Sequence, residues 1–456
     1  MSRFLAAIRR LAIEAAGTVA IAILCVLPAA AAVDVQRVVS PGGIEAWLVE
    51  DHTTPVISVS IAFRGGAALD PPGKEGLAEM VSTLLDEGAG DLDSTAFQQR
   101  IADLALDYGF DANRDSFNGS MRTLTEHRDA AFELLGLSLS APRFDSDAVE
   151  RMRAQLLARL ARDANDPGNI ARRVWWSTVF PDHPYGRPTE GTPESLRAIT
   201  IDDLRGFVGR RFGLDNLEIG VVGDIDAATL GPLLDKTFGK LPRSVEPYEL
   251  PEAVFRSPGA VVVVERDVPQ SVVLFGHDAV KRDDPDFYAA AVLNYILGGG
   301  GFSSRLMTEV REKRGLAYSV ATYLSTLDFA GLIVGQVATQ NARVAESLEI
   351  IRREWSRMRE EGPTEQELAD AKTYLIGSYP LRMTTTSSLA DVLTAIQLED
   401  LPIDYMEKRT AYFEAVTMDD VRRVARRLLH PDRLVAVVVG KPEGVTPTQD
   451  PPDGAI

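Results

Sequence analysis

The sequence predicts an α+β fold made of two homologous α/β-roll domains, each with helices packed on one face of a mixed β-sheet. The chain has 456 residues, which is enough for two or three domains. Residues 199–223 and 416–440 align without a gap, and such self-similarity indicates duplication. Helix starts at residues 145–147 and 363–365 lie at nearly the same offset. The duplicated unit is therefore roughly 210 residues long, a common domain size.

Each copy of the repeat predicts one helix followed by one strand. Thr200 and Thr417 are N-cap residues, and a pair of aspartates follows each of them in the first helical turn. An apolar run then ends at Gly223 in the first copy and at Gly440 in the second. Short apolar runs after a turn are typical of buried strands.

The other elements follow a similar order in each half: strands, a helix pair, another strand, more helices and a final strand. Apolar runs predict buried opening strands at residues 57–64 and 271–276. Amphipathic runs predict helices, and these are at residues 97–104, 129–137, 285–296 and 344–358.

Composition sets the expected boundaries. A Pro-rich stretch separates the repeats, and the last residues are rich in Pro, Gly and polar residues. The prediction is a signal peptide (1–32), an N-terminal domain (33–240), a linker (241–258), a C-terminal domain (259–441) and a disordered tail (442–456).

The first 32 residues are typical of an export signal. Basic residues precede an apolar run at 15–28, and Ala30–Ala32 offers small residues for cleavage before Val33. An uncleaved membrane anchor is the alternative. We therefore expect an exported, periplasmic protein.

Charge and cysteine content exclude several classes of function. Lys and Arg number 48 against 66 Asp and Glu, giving a formal net charge of −18. Such a surface repels nucleic acid and anionic membranes. The only cysteine, Cys25, lies in the predicted signal. The mature chain is therefore expected to use no thiol catalysis, Cys-ligated zinc or iron–sulfur cluster.

Five short segments carry the functional signal. In chain order they read F-R-G-G-A (63–67), G-L-A-E-M-V-S-T-L-L-D-E-G-A (76–89), H-P-Y-G-R-P (183–188), L-G-G-G-G-F-S-S-R-L (297–306) and V-R-E-K-R-G-L-A-Y (310–318). Together they resemble signatures of the pitrilysin/insulinase family of inverted-zincin metallopeptidases. The resemblance is to the zinc-motif-lacking Arg/Tyr subunit of a heterodimeric bacterial member similar to mitochondrial processing peptidase.

The resemblance implies a degenerate zinc site. The family motif H-x-x-E-H supplies two ligands and a general base, and its three positions hold Glu79, Ser82 and Thr83 here. The third ligand, a Glu on a later helix before an Asp-Pro, corresponds to Arg159. The five histidines form no helical pair, so no metal site and no cofactor is expected in this chain. A site assembled from distant residues is the remaining alternative.

Arg311 and Tyr318 match the Arg and Tyr that the family places in the second half, opposite the zinc. The resemblance implies that Tyr318 stabilises the oxyanion of a scissile peptide and that Arg311 binds substrate carbonyls. The alternative is a surface Arg followed by a strand-initiating Tyr.

Two further segments are candidates for substrate binding. Gly298, Gly299 and Gly300 lack the Lys-Ser/Thr of a phosphate loop, and the resemblance makes them a tight turn that lines a substrate channel. Asn113 lies in 110–120, which resembles an edge strand for extended peptides; a polar surface hairpin fits equally well.

The combined prediction is the zinc-free subunit of a heterodimeric peptidase. A homologous H-x-x-E-H partner would hold the zinc, and the pair would cleave unfolded peptides, without nucleic-acid or membrane partners. The alternative is a catalytically inactive scaffold or peptide-binding protein of the same fold.

Overall fold

A computed structural model describes residues 33–455, and its strands form two mixed sheets. The whole of the predicted signal, residues 1–32, and Ile456 lie outside the described residues. The strands are β1 (Gln36–Val39), β2 (Glu45–Glu50), β3 (Val56–Arg64), β4 (Asp107–Ala112), β5 (Ser116–Leu124), β6 (Leu217–Gly223), β7 (Val261–Glu265), β8 (Gln270–Asp278), β9 (Ala317–Leu327), β10 (Ala330–Gln340) and β11 (Val435–Gly440).

The two sheets have matching topologies. The first has the order β1-β2-β6-β3-β5-β4 and the second has the order β7-β11-β8-β10-β9. β2 pairs in parallel with β6, and β7 pairs in parallel with β11, while the other neighbours are antiparallel. The strands that end the sequence repeat, β6 and β11, occupy equivalent positions. The predicted α+β class with two mixed sheets is confirmed.

Helices surround both sheets. They are α1 (Leu77–Ser82), α2 (Ser94–Asp103), α3 (Arg128–Ser140), α4 (Ser146–Asp163), α5 (Pro167–Val179), α6 (Pro193–Ala198), α7 (Ile201–Arg211), α8 (Ala227–Phe238), α9 (Phe287–Asn294), α10 (Val344–Glu361), α11 (Glu365–Gly377), α12 (Thr386–Leu398), α13 (Tyr405–Glu414) and α14 (Met418–Leu428).

The predicted N-caps of the repeat are confirmed. Thr200 caps α7 and Thr417 caps α14, each in a reciprocal capping box with the aspartate three residues later. A capping box satisfies two backbone N–H groups that a helix start otherwise leaves open. The same capping motif therefore starts the equivalent helix in both halves.

The halves exchange helices across their sheets. α5, from the first half, packs Ile170, Val174 and Trp175 against the second sheet. α12, from the second half, lies on the first sheet, where Thr394 Oγ1 donates to Ser60 O (3.2 Å) and Gln397 Nε2 donates to Ile219 O (3.1 Å). Each sheet thus carries its own helices on one face and a helix of the other half on its opposite face.

This exchange accounts for the strongly buried central strands. β3 is buried at every position between its two ends, and β8 is buried at six of nine positions. Strands covered on both faces read as continuous apolar or small-residue runs. The segments predicted as opening strands are therefore interior strands, preceded in the chain by β1, β2 and β7.

The connecting and terminal segments are packed as well. The linker has no regular secondary structure, yet Ala253 N donates to Phe329 O (2.9 Å) and Arg256 N donates to Val179 O (2.8 Å). The tail differs from the predicted disorder, because Gln449 bridges to β7 and Ala455 is buried. A bare edge strand exposes unpaired backbone groups, and the tail covers that edge.

From Val35 onward the chain packs as one compact unit. Within the described residues, no helix has both the length and the apolar character required to span a membrane.

Candidate functional site

The positions that correspond to the family's zinc site lie on α1 and α4. Arg159 Nη2 donates to Glu79 Oε1 at 2.6 Å, and both side chains are partly buried. The contact joins residues 80 positions apart, so it reflects the packing of the two helices. It places Arg159 beside the first motif position, where the alignment of the zinc ligands puts it.

The remaining two motif positions use their hydroxyls locally. Ser82 Oγ donates to Glu79 O (2.8 Å), and Thr83 Oγ1 donates to Met80 O (3.0 Å). These bonds return to the preceding helical turn and leave no nitrogen or carboxylate ligand at these positions.

The residues present do not fit zinc. A catalytic zinc site takes three protein ligands from His, Cys and carboxylate side chains. The four corresponding positions here offer one carboxylate, Glu79, which is already neutralised by Arg159. In residues 33–455, no group of three His, Cys, Asp or Glu side chains is placed to hold a metal ion.

The second candidate segment lies between α9 and β9 and contains two π-helical turns, Tyr295–Gly299 and Met307–Glu312. π-helical turns are rare and are often found at functional sites. Three of the segment's cations are held by acids: Arg305 pairs with Glu367, while Lys313 and Arg314 pair with Glu309, all at 2.6 Å.

Arg311 is arranged differently from these three cations. Its guanidinium carbon lies 4.8 Å from the ring centroid of Tyr318 and 4.6 Å from that of Phe302. Within the described residues, Arg311 forms no ion pair, and neither Arg311 nor Tyr318 makes a side-chain hydrogen bond. Tyr318 is 82% exposed and Phe302 is 63% exposed. The cluster therefore presents a phenol and an uncommitted guanidinium to solvent.

The structure brings the Arg311–Tyr318 pair together but keeps it on the second half. No hydrogen bond or ion pair within residues 33–455 connects it to Glu79 or Arg159. One copy of this chain therefore presents the Arg/Tyr pair and the degenerate zinc positions as separate features.

The glycines predicted to bind substrate are not equivalent. Gly298 is buried, and a Cβ there would lie 2.5 Å from Thr322 Oγ1 on β9, so packing alone requires glycine. Gly299 is exposed and Gly300 is partly buried. These two remain the members of the turn whose backbone is accessible to a ligand.

Asn113 closes the hairpin between β4 and β5. Its Oδ1 accepts from the backbone N–H groups of Asp115 (3.0 Å) and Ser116 (2.8 Å), and its Nδ2 donates to Ser116 Oγ (2.9 Å). β4 is the edge strand of its sheet. Asn113 thus fixes the turn at the end of that edge, and a role in substrate binding stays a prediction.

The H-P-Y-G-R-P loop joins the two halves, which sequence reasoning did not anticipate. Tyr185 Oη donates to Asp115 Oδ1 (2.5 Å) and accepts from Phe329 N (3.1 Å). His183 Nδ1 accepts from Tyr185 N (3.1 Å). The sequence motif identified the loop, but it did not indicate the partners of Tyr185, which are distant in the chain.

Comparison with known proteins identifies the family. Residues 46–193 match the family described as Insulinase (Peptidase family M16), and residues 198–375 match the Peptidase M16 inactive domain. The chain is 28% identical over 373 residues to the non-peptidase homolog YmxG of Helicobacter pylori, covering 82% of this chain and 86% of that protein. It is 32% identical over 301 residues to an uncharacterized zinc protease of Mycobacterium tuberculosis, covering 65% and 68%.

Solved structures agree with this assignment. A peptidase M16 inactive domain from Pseudomonas fluorescens superposes with a TM-score of 0.84 at 27% identity, covering 91% of this chain and 100% of that one. A chain of complex III2 from Candida albicans shares the fold, with a TM-score of 0.74 at 17% identity, covering 90% and 96%. The chain therefore belongs to the insulinase family, peptidase family M16, in a form that lacks the H-x-x-E-H motif.

Proposed function

We propose that this chain is the zinc-free subunit of a heterodimeric M16 peptidase and is inactive alone. A homologous partner that carries H-x-x-E-H supplies the metal and its chemistry. This chain supplies Arg311 and Tyr318, which act on the unfolded peptide held between the two subunits. The predicted export signal supports a periplasmic location for this chain.

The arrangement of Arg311 is the observation that carries the proposal. Three neighbouring cations are neutralised by acids, whereas Arg311 lies between two exposed aromatic rings. The aromatic faces hold the guanidinium by cation–π attraction and leave its N–H groups free to bind peptide carbonyls.

Inactivity of the isolated chain is supported by the degenerate zinc positions. The Glu79–Arg159 ion pair and the inward-bonded hydroxyls of Ser82 and Thr83 leave no ligand set. The resemblance to the non-peptidase homolog of Helicobacter pylori and to an M16 inactive domain supports the same conclusion.

Tyr318 is the residue with a defined chemical task. Attack on a peptide carbonyl creates an oxyanion, and an exposed phenol O–H is able to donate a hydrogen bond to it. Donors of this kind contribute about 2.7–4 kcal/mol in the transition state. Because the hydrogen bond strengthens as the charge develops, its loss lowers kcat more than it raises KM.

The test is Tyr318→Phe in the complex formed with an H-x-x-E-H partner. We expect kcat for an unfolded peptide to fall about 100-fold or more, with zinc content and complex formation unchanged. Tyr374→Phe, which changes another exposed tyrosine of the second half, is the matched control and should retain full activity.

The inactive scaffold or peptide-binding protein remains the competing function. It predicts that Tyr318→Phe and Arg311→Gln leave kcat of the pair unchanged, or that no catalytic pair forms. Either result contradicts a catalytic contribution from this chain.

A further inference from the structure

A cavity of ≈ 130 Å³ opens beside the degenerate zinc positions. α4 contributes Leu160 and Asp163 to its wall, one residue and one helical turn beyond Arg159. One face of α5 supplies Asn169, Arg172, Arg173 and Trp176, at the i, i+3, i+4 and i+7 spacing of neighbouring side chains. Arg114 at the β4–β5 hairpin and the loop at 186–191 complete the wall.

Arg114 is the most unusual side chain of this cavity. Its guanidinium carbon lies 3.8 Å from the ring centroid of Trp176, and its Nε donates to Tyr185 O (3.2 Å). Burial lowers the pKa of Arg114 to about 10, so the group remains charged at neutral pH. A buried cation is costly without a compensating negative charge.

Within residues 33–455, three of the four arginines that line the cavity lack an anionic partner. In the part of the chain that the structure describes, Arg114, Arg172 and Arg173 form no ion pair, and Arg173 Nε is buried without a hydrogen-bond partner. Arg187, the fourth, donates to the backbone oxygens of Asp70 and Ala68 and forms a long ion pair with Glu75 (3.9 Å).

The cavity contains more positive than negative charge. Its lining holds four arginines and two acids, Asp163 and Glu190, which leaves an excess of two positive charges. Glu190 and Asp115 favour the charged form of Arg114 without pairing with it. In a chain with a formal net charge of −18, three neighbouring arginines without an ion-pair partner among the described residues favour the binding of an anionic group.

We propose that this cavity binds a peptide carboxylate, supplied by a free C-terminus or by an acidic side chain. Arg114 and Arg172 donate to the carboxylate oxygens, and Trp176 holds Arg114 in place. The proposal rests on the proposed peptide-binding function and assigns its substrate class. Position favours a peptide, because Arg114 follows Asn113 at the end of the exposed edge strand β4.

The expected strength follows from the contacts. Hydrogen bonds between charged groups are short and about twice as strong as neutral ones, and Arg often makes two to one carboxylate. Losing one such donor should weaken binding about tenfold. The chain's negative charge acts in the opposite direction, since it favours an uncharged peptide end. A preference for the carboxylate therefore cannot come from net charge.

The experiment measures binding of fluorescein-labelled unstructured peptides to the chain alone by fluorescence anisotropy. One peptide without acidic residues is used as the free acid and as the C-terminal amide. A second, amidated peptide carries one internal Glu or Gln. We expect the carboxylate form of at least one pair to bind about tenfold tighter than its neutral counterpart. The pair that shows the preference identifies the source of the carboxylate.

Two variants and one control assign the preference to the cavity. Arg172→Gln changes an exposed residue, so it tests the site even if Arg114→Gln fails to fold. Both should abolish the preference for the carboxylate. Arg205→Gln removes the same charge from an exposed position on α7 and should preserve it.

Equal binding of acid and amide forms, no measurable peptide binding, or equal effects of Arg172→Gln and Arg205→Gln would overturn the proposal. The assay contains no partner and measures no cleavage. A chain that keeps its carboxylate preference while Tyr318→Phe leaves kcat of the pair unchanged would therefore refute only the proposed catalytic role.

Discussion

At the residue scale, the degenerate zinc site is an ion pair and not an empty pocket. Glu79 and Arg159 neutralise each other at 2.6 Å, while Ser82 and Thr83 bond to their own helix. Restoring a metal site therefore requires more than the three motif residues, because the guanidinium of Arg159 repels a cation at the third ligand position.

This predicts the outcome of rebuilding the motif. A chain with Glu79→His, Ser82→Glu and Thr83→His should bind zinc weakly and should not cleave peptides, since only two of three ligands are present. Adding Arg159→Glu should tighten zinc binding by at least about tenfold. Competition with a chromophoric chelator measures both affinities.

Comparing the zinc affinities of the triple and quadruple variants tests whether Arg159 occupies the third ligand position. Circular dichroism checks that both variants retain the fold. If the triple variant binds zinc as tightly as the quadruple variant, Arg159 does not occupy the third ligand position.

At the element scale, the two exchanged helices meet chemically different surfaces. α5 buries apolar side chains on the second sheet, whereas α12 reaches the first sheet through hydroxyl and amide groups. Ser58 Oγ lies 2.8 Å from Thr386 Oγ1, in addition to the Thr394 and Gln397 bonds. α12 also approaches the sheet backbone closely at Gly220, where a Cβ would lie 2.5 Å from Ala390 O.

Gly220→Ala is therefore expected to destabilise the protein by about 1–3 kcal/mol, the usual cost of overpacking. The methyl group has to displace α12 from the first sheet. Gly209→Ala is the matched control, because no atom lies within 4 Å of its Cβ position and alanine favours a helix by up to about 1 kcal/mol.

Urea denaturation measures the free energy of unfolding of the Gly220→Ala and Gly209→Ala proteins. A Gly220→Ala protein as stable as the Gly209→Ala protein would mean that the contact between α12 and β6 is not tight in solution.

At the scale of the whole molecule, acidic groups gather where the halves meet. Arg64 of β3 donates to Gln397 O (2.7 Å) and to Asp400 Oδ1 (2.8 Å) in the second half. Burial raises the pKa of Asp328 to about 6 and that of Glu399 to about 7. Both line a cavity of ≈ 250 Å³ beside Arg64.

The sign of the effect on stability follows from the raised pKa of Glu399. Its folded pKa, about 7, lies above the usual unfolded value of about 4.3. Its contribution to stability is therefore present below pH 4 and is lost as pH rises through 7. At pH 8 the folded protein carries a charge that the surroundings disfavour.

Glu399→Gln should consequently raise the free energy of unfolding at pH 8, on the order of 1–2 kcal/mol, with a smaller gain at pH 5. Denaturant titrations at the two pH values measure it. Glu360→Gln, at an exposed position on α10, should show no such difference between pH values. If Glu399→Gln raised the free energy of unfolding equally at pH 5 and pH 8, the raised pKa of Glu399 would be contradicted.

The sequence by itself determined the local and repeated features of this protein. The capping residues Thr200 and Thr417 start their helices through hydrogen bonds that span three residues. Because these contacts are local, the sequence alone was sufficient to predict them. The α+β class follows from the order of these elements. The loss of zinc ligands follows from the residues, Glu79, Ser82 and Thr83, at the positions that the family resemblance assigns to the motif.

Only the tertiary structure decided the long-range contacts. The Glu79–Arg159 pair, the exchange of α5 and α12, the burial of Gly298 against Thr322 and the cavity around Arg114 each join distant parts of the chain. Such contacts depend on how amphipathic faces pack, and a periodic pattern indicates that a face is buried without indicating its partner. The tail is a second case in which the sequence did not indicate the packing partner. Its composition predicted disorder, but in the structure it binds along the edge of β7.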